Sequence, residues 1–199
     1  MIIRPFQKHD LCQAEGLAKN IWAELEPHIP VHERTPVYRL LVRYYTHFDS
    51  PFNFAAEENG QLCGFLLAFE PSEPSQDLLK ELFQEFRDRD NAYLLRYKAY
   101  LDGNHHQEIL MTSPGEVILG LFASSVRGAG RKLLKTFAEK ALSLGKKGLI
   151  LWTDETCDHS YYPAHGFQEI TRMPANPSID EMQLNTIFYK KAFDAVLKD

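Results

Sequence analysis

An apolar strand that runs straight into a glycine-punctuated turn, and from there into a long amphipathic helix, constrains this chain more than any other feature. Residues 116–123, Glu-Val-Ile-Leu-Gly-Leu-Phe-Ala, are nearly continuous in apolar side chains. That is the pattern of a central strand covered on both faces. Next comes Ser124-Ser125-Val126-Arg127-Gly128-Ala129-Gly130-Arg131-Lys132. Over residues 131–144, Leu133, Leu134, Phe137, Ala138, Ala141 and Leu142 recur at helical spacing, and Gly145 supplies the stop. Two glycines at a helix head let the backbone approach a ligand, and the unpaired amides with the helix dipole favour an anion there. Arg127 and Arg131 bring positive charge to the same place. The turn reads either as a diphosphate cradle or as a point of tight packing. It contains neither GxxxxGK[ST] nor GxGxxG.

The rest of the chain supplies a mixed α/β order. Residues 2–6 read as a first strand, followed by a helix with Leu11, Ala14, Leu17, Ala18, Ile21 and Trp22 on one face. A loop over residues 26–33, with Pro27 and Pro30, precedes a second helix, for which Thr35 offers the cap and Pro36 the first helical position. Strands over 52–57 and 61–69 flank Glu58-Asn59-Gly60, a hairpin signal because Asn and Gly tolerate positive φ. Residues 70–115 are helical in period and long for a connection between strands. Within them one helix follows Ser75, and another spans 92–101 and ends near Asp102-Gly103, leaving His105-His106 in an exposed turn. Tyr93, Tyr97 and Tyr100 form a helical stripe suited to core packing, and Trp152 also reads as core. Strands over 148–152, 167–172 and 183–189 and a short helix over 158–164 complete the order. The prediction is one α/β domain (an α+β mixed sheet) spanning 1–199, with a helical insertion over 70–115 between the third and fourth strands.

With 199 residues the chain fits one domain. Its 22 Lys and Arg against 27 Asp and Glu give a net charge of −5, which argues against a nucleic-acid binder. The longest apolar runs fall far below the ~18–20 residues of a membrane span. The N-terminus shows no basic stretch followed by an apolar one, and Cys12, Cys63 and Cys157 are odd in number and scattered. A cytoplasmic, reduced protein is expected. Cys157, His159 and His165 match no common zinc spacing, so no metal is expected.

Downstream of the glycine turn lies Tyr161-Tyr162-Pro163-Ala164-His165-Gly166-Phe167. Taken with residues 127–132, this resembles the GNAT superfamily of acyl-CoA-dependent N-acyltransferases. That family carries R/Q-x-x-G-x-G/A at the head of a helix after a central strand, and later an aromatic–Tyr pair, three residues, then Gly-Phe. The element order over the whole chain is similar, apart from the insertion. The pattern departs at Lys132, where the family has Gly or Ala, and at Glu155 and Asp158, where it has Asn and Ala.

The resemblance implies the GNAT order, with two helices after the first strand and one after each of the fourth and fifth strands. It also implies acetyl-CoA as co-substrate. The diphosphate would sit on Arg127, Gly128, Ala129, Gly130, Arg131 and Lys132, and the pantetheine arm along Leu121, Phe122 and Ala123. Tyr162 would serve the leaving thiolate. For the base, Glu116 heads the candidates because it opens the central strand and shares alternation with Ile118, Gly120 and Phe122; Glu57, Glu58 and Glu155 are rivals. The expected acceptor is the primary amine of a small molecule. Acetylation of a protein lysine or N-terminus, and a non-catalytic acyl-CoA-binding module, stay open, as does a homodimer. No nucleic-acid or membrane partner is expected.

Overall fold

A computed structural model describes residues 1–23, 25–26, 28–175 and 184–198. Pro27 of the predicted loop and Gln183, the predicted start of the last strand, lie outside the described residues. The seven strands are β1 (Ile2–Pro5), β2 (Phe54–Glu58), β3 (Gln61–Phe69), β4 (Glu116–Ser124), β5 (Gly148–Asp154), β6 (Gln168–Pro174) and β7 (Asn185–Ala192). They form one sheet in the order β1-β2-β3-β4-β5-β7-β6. Every neighbouring pair is antiparallel except β4 and β5, which run parallel. The helices are α1 (Leu11–Trp22), α2 (Val31–Tyr45), α3 (Gln76–Glu85), α4 (Ala92–Met111), α5 (Ala129–Ser143), α6 (Tyr161–Ala164) and α7 (Phe193–Val196). The mixed α/β sheet is the fold class the sequence predicts, with helices α3 and α4 lying between β3 and β4.

Each face of the sheet carries its own core. On one, α1, α2 and α4 pack over Phe65, Leu67, Ile118, Leu121, Ala123 and Ile150. On the other, α5 lays Ala129, Leu133, Leu134, Phe137, Ala138 and Ala141 against Leu66, Val117, Leu119, Leu149 and Leu151. This is the apolar stripe that α5 shows in sequence. Lys146 N bonds back to Ala141 O at 3.0 Å, and Gly145 closes the helix at φ +75.

Three local expectations are corrected. Helix α2 starts at Val31 with Pro30 as its cap, so Pro36 lies inside it. The amides of Glu33 and Arg34 bond to Pro30 O at 2.8 and 3.2 Å, and the Thr35 hydroxyl accepts from Lys19 Nζ rather than capping. Burial of Val37, Tyr38, Leu40 and Leu41 outweighs the hydrogen bond that Pro36 cannot make. Helix α4 does not end at Asp102-Gly103 but continues to Met111. Its buried stripe runs on through Leu101, Asn104, His105 and Glu108, which offsets the roughly 1 kcal/mol of propensity lost at a helical glycine. His105 is consequently buried rather than in an exposed turn. It bonds to Ser72 O at 2.8 Å, pairs with Glu108 and packs edge-on against Tyr44 and Tyr45.

Candidate active site

The parallel pairing of β4 and β5 covers only Glu116↔Gly148, Val117↔Leu149 and Ile118↔Ile150. Beyond Ile118 a bulge interrupts β4: Leu67 pairs with Leu121 and Ala68 with Leu119, which leaves Gly120 as the extra residue. A bulge bends its strand, while β5 stays paired with β7 as far as Asp154. The two strands part, and a cavity of about 340 Å³ opens between them. It also inverts the alternation beyond residue 120. Ile118, Leu121 and Ala123 face the α1–α2 side, whereas Phe122 packs on the α5 side. The predicted alternation linking Glu116, Ile118, Gly120 and Phe122 therefore holds through Gly120 and fails at Phe122, and glycine is required at 120. A Cβ at 120 would lie 2.3 Å from Tyr45 Cδ1 and 2.9 Å from Phe69 Cε1.

Residues 119–124 of β4 and 151–154 of β5 line the two walls of the cavity. Its lining also includes Asp158, Tyr161 and Tyr162, so Leu121, Phe122, Ala123 and Tyr162 share one cavity. Tyr162 stacks on Tyr189 with centroids 5.1 Å apart and meets Phe167 edge-on at 5.3 Å. Phe167 N bonds to Tyr162 O at 3.0 Å, with Gly166 at φ +70 making the turn. This closure holds the phenol in place. Burial raises its pKa well above the ordinary value, so it is a hydrogen-bond donor at neutral pH.

The turn into α5 is open. Ser125 N is anchored to Cys63 O at 2.9 Å, Gly128 takes φ +82, and Ala129 N reaches back to Val126 O at 3.1 Å. Arg127, Gly128, Arg131 and Lys132 are exposed while Ala129 is buried. A Cβ at Gly130 would lie 3.0 Å from Phe122 and 3.2 Å from the Ser124 hydroxyl, so this glycine seats the helix start on the end of β4. Lys132 turns outward. With Arg131, Lys135, His165 and Lys191 it lines a second, basic cavity of about 400 Å³ beside the first turn of α5. An exposed helix start with a left-handed glycine and basic side chains fits a diphosphate.

Glu116 stands apart from these residues. It occupies the joined end of β4, pairs with Lys190 at 2.6 Å and accepts from Ser113 N at 2.7 Å. It does not line the cavity, because the strands open at the opposite end of β4. The rival carboxylates are also engaged elsewhere. Glu57 pairs with Arg4 at 2.8 Å and Glu58 faces the N-terminal amine at 3.7 Å. Glu155 is held by Asn185 and Arg172, with its pKa lowered first by the Asn185 hydrogen bonds.

The inner end of the cavity holds residues that sequence reasoning assigned to packing or passed over. Glu26, from the segment between α1 and α2, is 6% exposed and accepts the Tyr38 hydroxyl at 2.6 Å. Burial pushes its carboxyl up to about 7 against the pull of that bond, with the charge of Asp154 adding to the rise. Asp154 accepts the Tyr100 hydroxyl at 2.8 Å and holds Thr156. Trp22, Tyr45, Tyr97, Tyr100 and Trp152 enclose these carboxylates. Cys157 lies among them with its thiol pushed up to about 12, chiefly by burial, so it is no nucleophile at neutral pH. The stripe Tyr97–Tyr100 is thus both packed and cavity-lining. A usable signal existed for Asp154: two residues after Trp152 on one strand, it shares that residue's face. Glu26 offered none. Among the described residues, no group of three or more His, Cys, Asp or Glu is placed to hold a metal ion, and no helix is long and apolar enough to cross a membrane.

No protein-family model and no curated protein matches the sequence. Solved structures do match its fold. An N-acetyltransferase from Staphylococcus aureus Mu50 superposes with a TM-score of 0.60 at 16% identity, covering 96% of this chain and 100% of that one. The chain has the GNAT fold. An aminoglycoside 6'-acetyltransferase type Ii gives a TM-score of 0.52 at 15% identity, over 97% of each chain. The Salmonella typhimurium protein yncA, with its cofactor acetyl-CoA, gives 0.53 at 17% identity, covering 98% of this chain and 94% of that one. In this GNAT fold the cleft lies between β4 and β5, and the long α3–α4 insertion supplies Tyr97 and Tyr100 to its inner wall.

Proposed function

We propose that the protein transfers an acetyl group from acetyl-CoA to the primary amine of a small molecule. The observation that carries this reading is the cavity itself, which is lined by the bulged half of β4, Tyr162, aromatic rings and two buried carboxylates. The similarity in fold to yncA, which holds acetyl-CoA, supports the donor.

In this reading the amides of residues 127–132 and the basic side chains of the neighbouring cavity hold the phosphates. Main-chain groups of Leu121, Phe122 and Ala123, freed from pairing by the divergence of β5, hold the pantetheine arm. When bound, acetyl-CoA supplies an activated acyl group whose leaving group is a thiolate. A backbone amide of β4 polarises the thioester carbonyl. The Tyr162 phenol donates a hydrogen bond to the departing sulfur; its raised pKa makes full proton transfer uphill, so it stabilises the thiolate rather than protonating it first.

The acceptor end favours a small amine over a peptide. Tyr97 and Tyr100 are nearly fully buried, and together with Trp22 and Trp152 they line a cavity of about 340 Å³, a volume suited to a small amine. Aromatic faces and carboxylates attract an ammonium group. Thiol release from acetyl-CoA across a panel of amines and peptides tests the reading. Small primary amines with an apolar body should turn over well ahead of peptides. Tight CoA binding with no thiol release would mark a binding module, and turnover confined to peptides would mark a protein acetyltransferase; either result overturns the proposal.

A further inference from the structure

Resting on that acetyl-transfer reading, we propose that Glu26 is the general base, taking the proton of the bound ammonium group directly or through one water. A primary amine arrives mostly protonated, since its pKa is near ~10, and it attacks only after losing that proton. The accepting group must lie in the acceptor chamber and be ionised, yet basic enough to hold a proton. Glu26 meets each condition. It lines the cavity, and it is buried among aromatic rings with no cation paired to it among the described residues. The Tyr38 hydroxyl at 2.6 Å fixes one carboxylate oxygen, Oε2.

The groups facing it set its basicity. From α2, Tyr38 donates a hydrogen bond, which favours the charged form, while Arg34 lies near Tyr38. Tyr97 of α4, Asp154 of β5 and Cys157 beyond β5 complete the surroundings. Burial and Asp154 raise the carboxyl to about 7, close to the optimum for a base at neutral pH. Asp154, held by Tyr100 and Thr156, is the second negative charge and anchors the ammonium group before transfer. In the step, the proton passes from nitrogen to a Glu26 oxygen and the freed electron pair forms the C–N bond. The C–S bond breaks with its pair leaving on sulfur, beside Tyr162, and the second nitrogen proton of the adduct passes to that thiolate, leaving the neutral amide and the CoA thiol. Glu26 then returns its proton to solvent as the amide departs.

The test is Glu26→Gln, which keeps shape and the Tyr38 contact but cannot accept a proton. In the wild type, kcat/KM should rise to a plateau near pH 7 and stay level to pH 9, because carboxylate and ammonium react together. In the variant the rate should fall about 100-fold at pH 7. It should then climb about tenfold per pH unit through pH 9, following the free amine alone. Tyr38→Phe removes a bond that stabilises the carboxylate, so it should move the acidic limb to higher pH. Independently of turnover, the infrared difference between wild type and Glu26→Gln should show a protonated carboxyl band that titrates near pH 7. If the wild type turns over and the plateau survives Glu26→Gln, or if no such band is lost, Glu26 is not the base although the acetyl-transfer reading stands. If the wild type releases no thiol with any amine, that reading fails and the base role with it.

Discussion

Trp152 Nε1 donates to the Tyr45 hydroxyl at 3.0 Å, tying β5 to the end of α2 directly beside the point where β4 leaves its partner. Tyr45 also lies against Gly120, the bulge residue, so one aromatic ring touches both walls of the cleft. The opening between the strands is therefore held by packing and is not a loose edge.

That arrangement makes Gly120 the position least tolerant of a side chain. Gly120→Ala would place a methyl group 2.3 Å from Tyr45 Cδ1 and force the ring to move. Overpacking of this kind costs about 1–3 kcal/mol. Urea unfolding should show that loss, and acetyl-CoA binding measured by calorimetry should weaken with it.

Tyr162→Phe keeps the stack on Tyr189 and the edge contact with Phe167 while removing the hydroxyl. Turnover should drop by about 10- to 100-fold, with KM for acetyl-CoA within about twofold, because a hydrogen bond to the departing sulfur matters mainly in the transition state. Thiol release at saturating amine reads this directly. The raised pKa of the phenol predicts no loss of wild-type rate from its ionisation below pH 10.

Glu116→Gln removes the partner of Lys190 at the joined end of β4 and β5, away from the cavity. Its pair is partly exposed, so a stability loss of about 0–1 kcal/mol is expected. The kcat should stay within about twofold of wild type at every pH from 6 to 9. A large fall in kcat would return the base role to Glu116.

Stability should decline from pH 5 to pH 8 through the buried pair of α4. Burial raises Glu108 to about 7, with the His105 bond opposing that rise, and His105 is itself raised by Glu108 against its own burial. A folded-state pKa above the unfolded value gives stability that is complete below the unfolded value and lost as pH climbs through the folded one. Both groups act in that direction. Glu108→Gln should therefore narrow the difference in unfolding free energy between pH 5 and pH 8 by on the order of 1 kcal/mol. Urea unfolding at the two pH values checks it.

Much of the molecule was legible in the chain. The run of apolar residues before Ser124, the stripe from Leu133 to Ala141 and the Gly145 stop all place themselves, since each depends on neighbours within a few positions. Asn59-Gly60 marked its hairpin for the same reason, with both residues at positive φ. Pro36 and Gly103 misled because local breaker signals were overridden by burial against other elements, an energy that no short window contains. Glu116 misled because the end at which β4 parts from β5 is set by pairing and by the bulge at Gly120, not by alternation along β4, and Glu116 sits at the joined end.

The sequence alone determined the strand–turn–helix at the head of α5 and the Tyr162 phenol that follows it, because glycine geometry and helical period are written in adjacent residues. Only the tertiary structure decided which carboxylates face the cavity. Glu26, Asp154 and the tyrosines of α2 and α4 come from segments far apart in the chain. They meet where α1, α2 and α4 close over the parted strands, and the raised pKa of Glu26 comes from that burial rather than from its sequence neighbours.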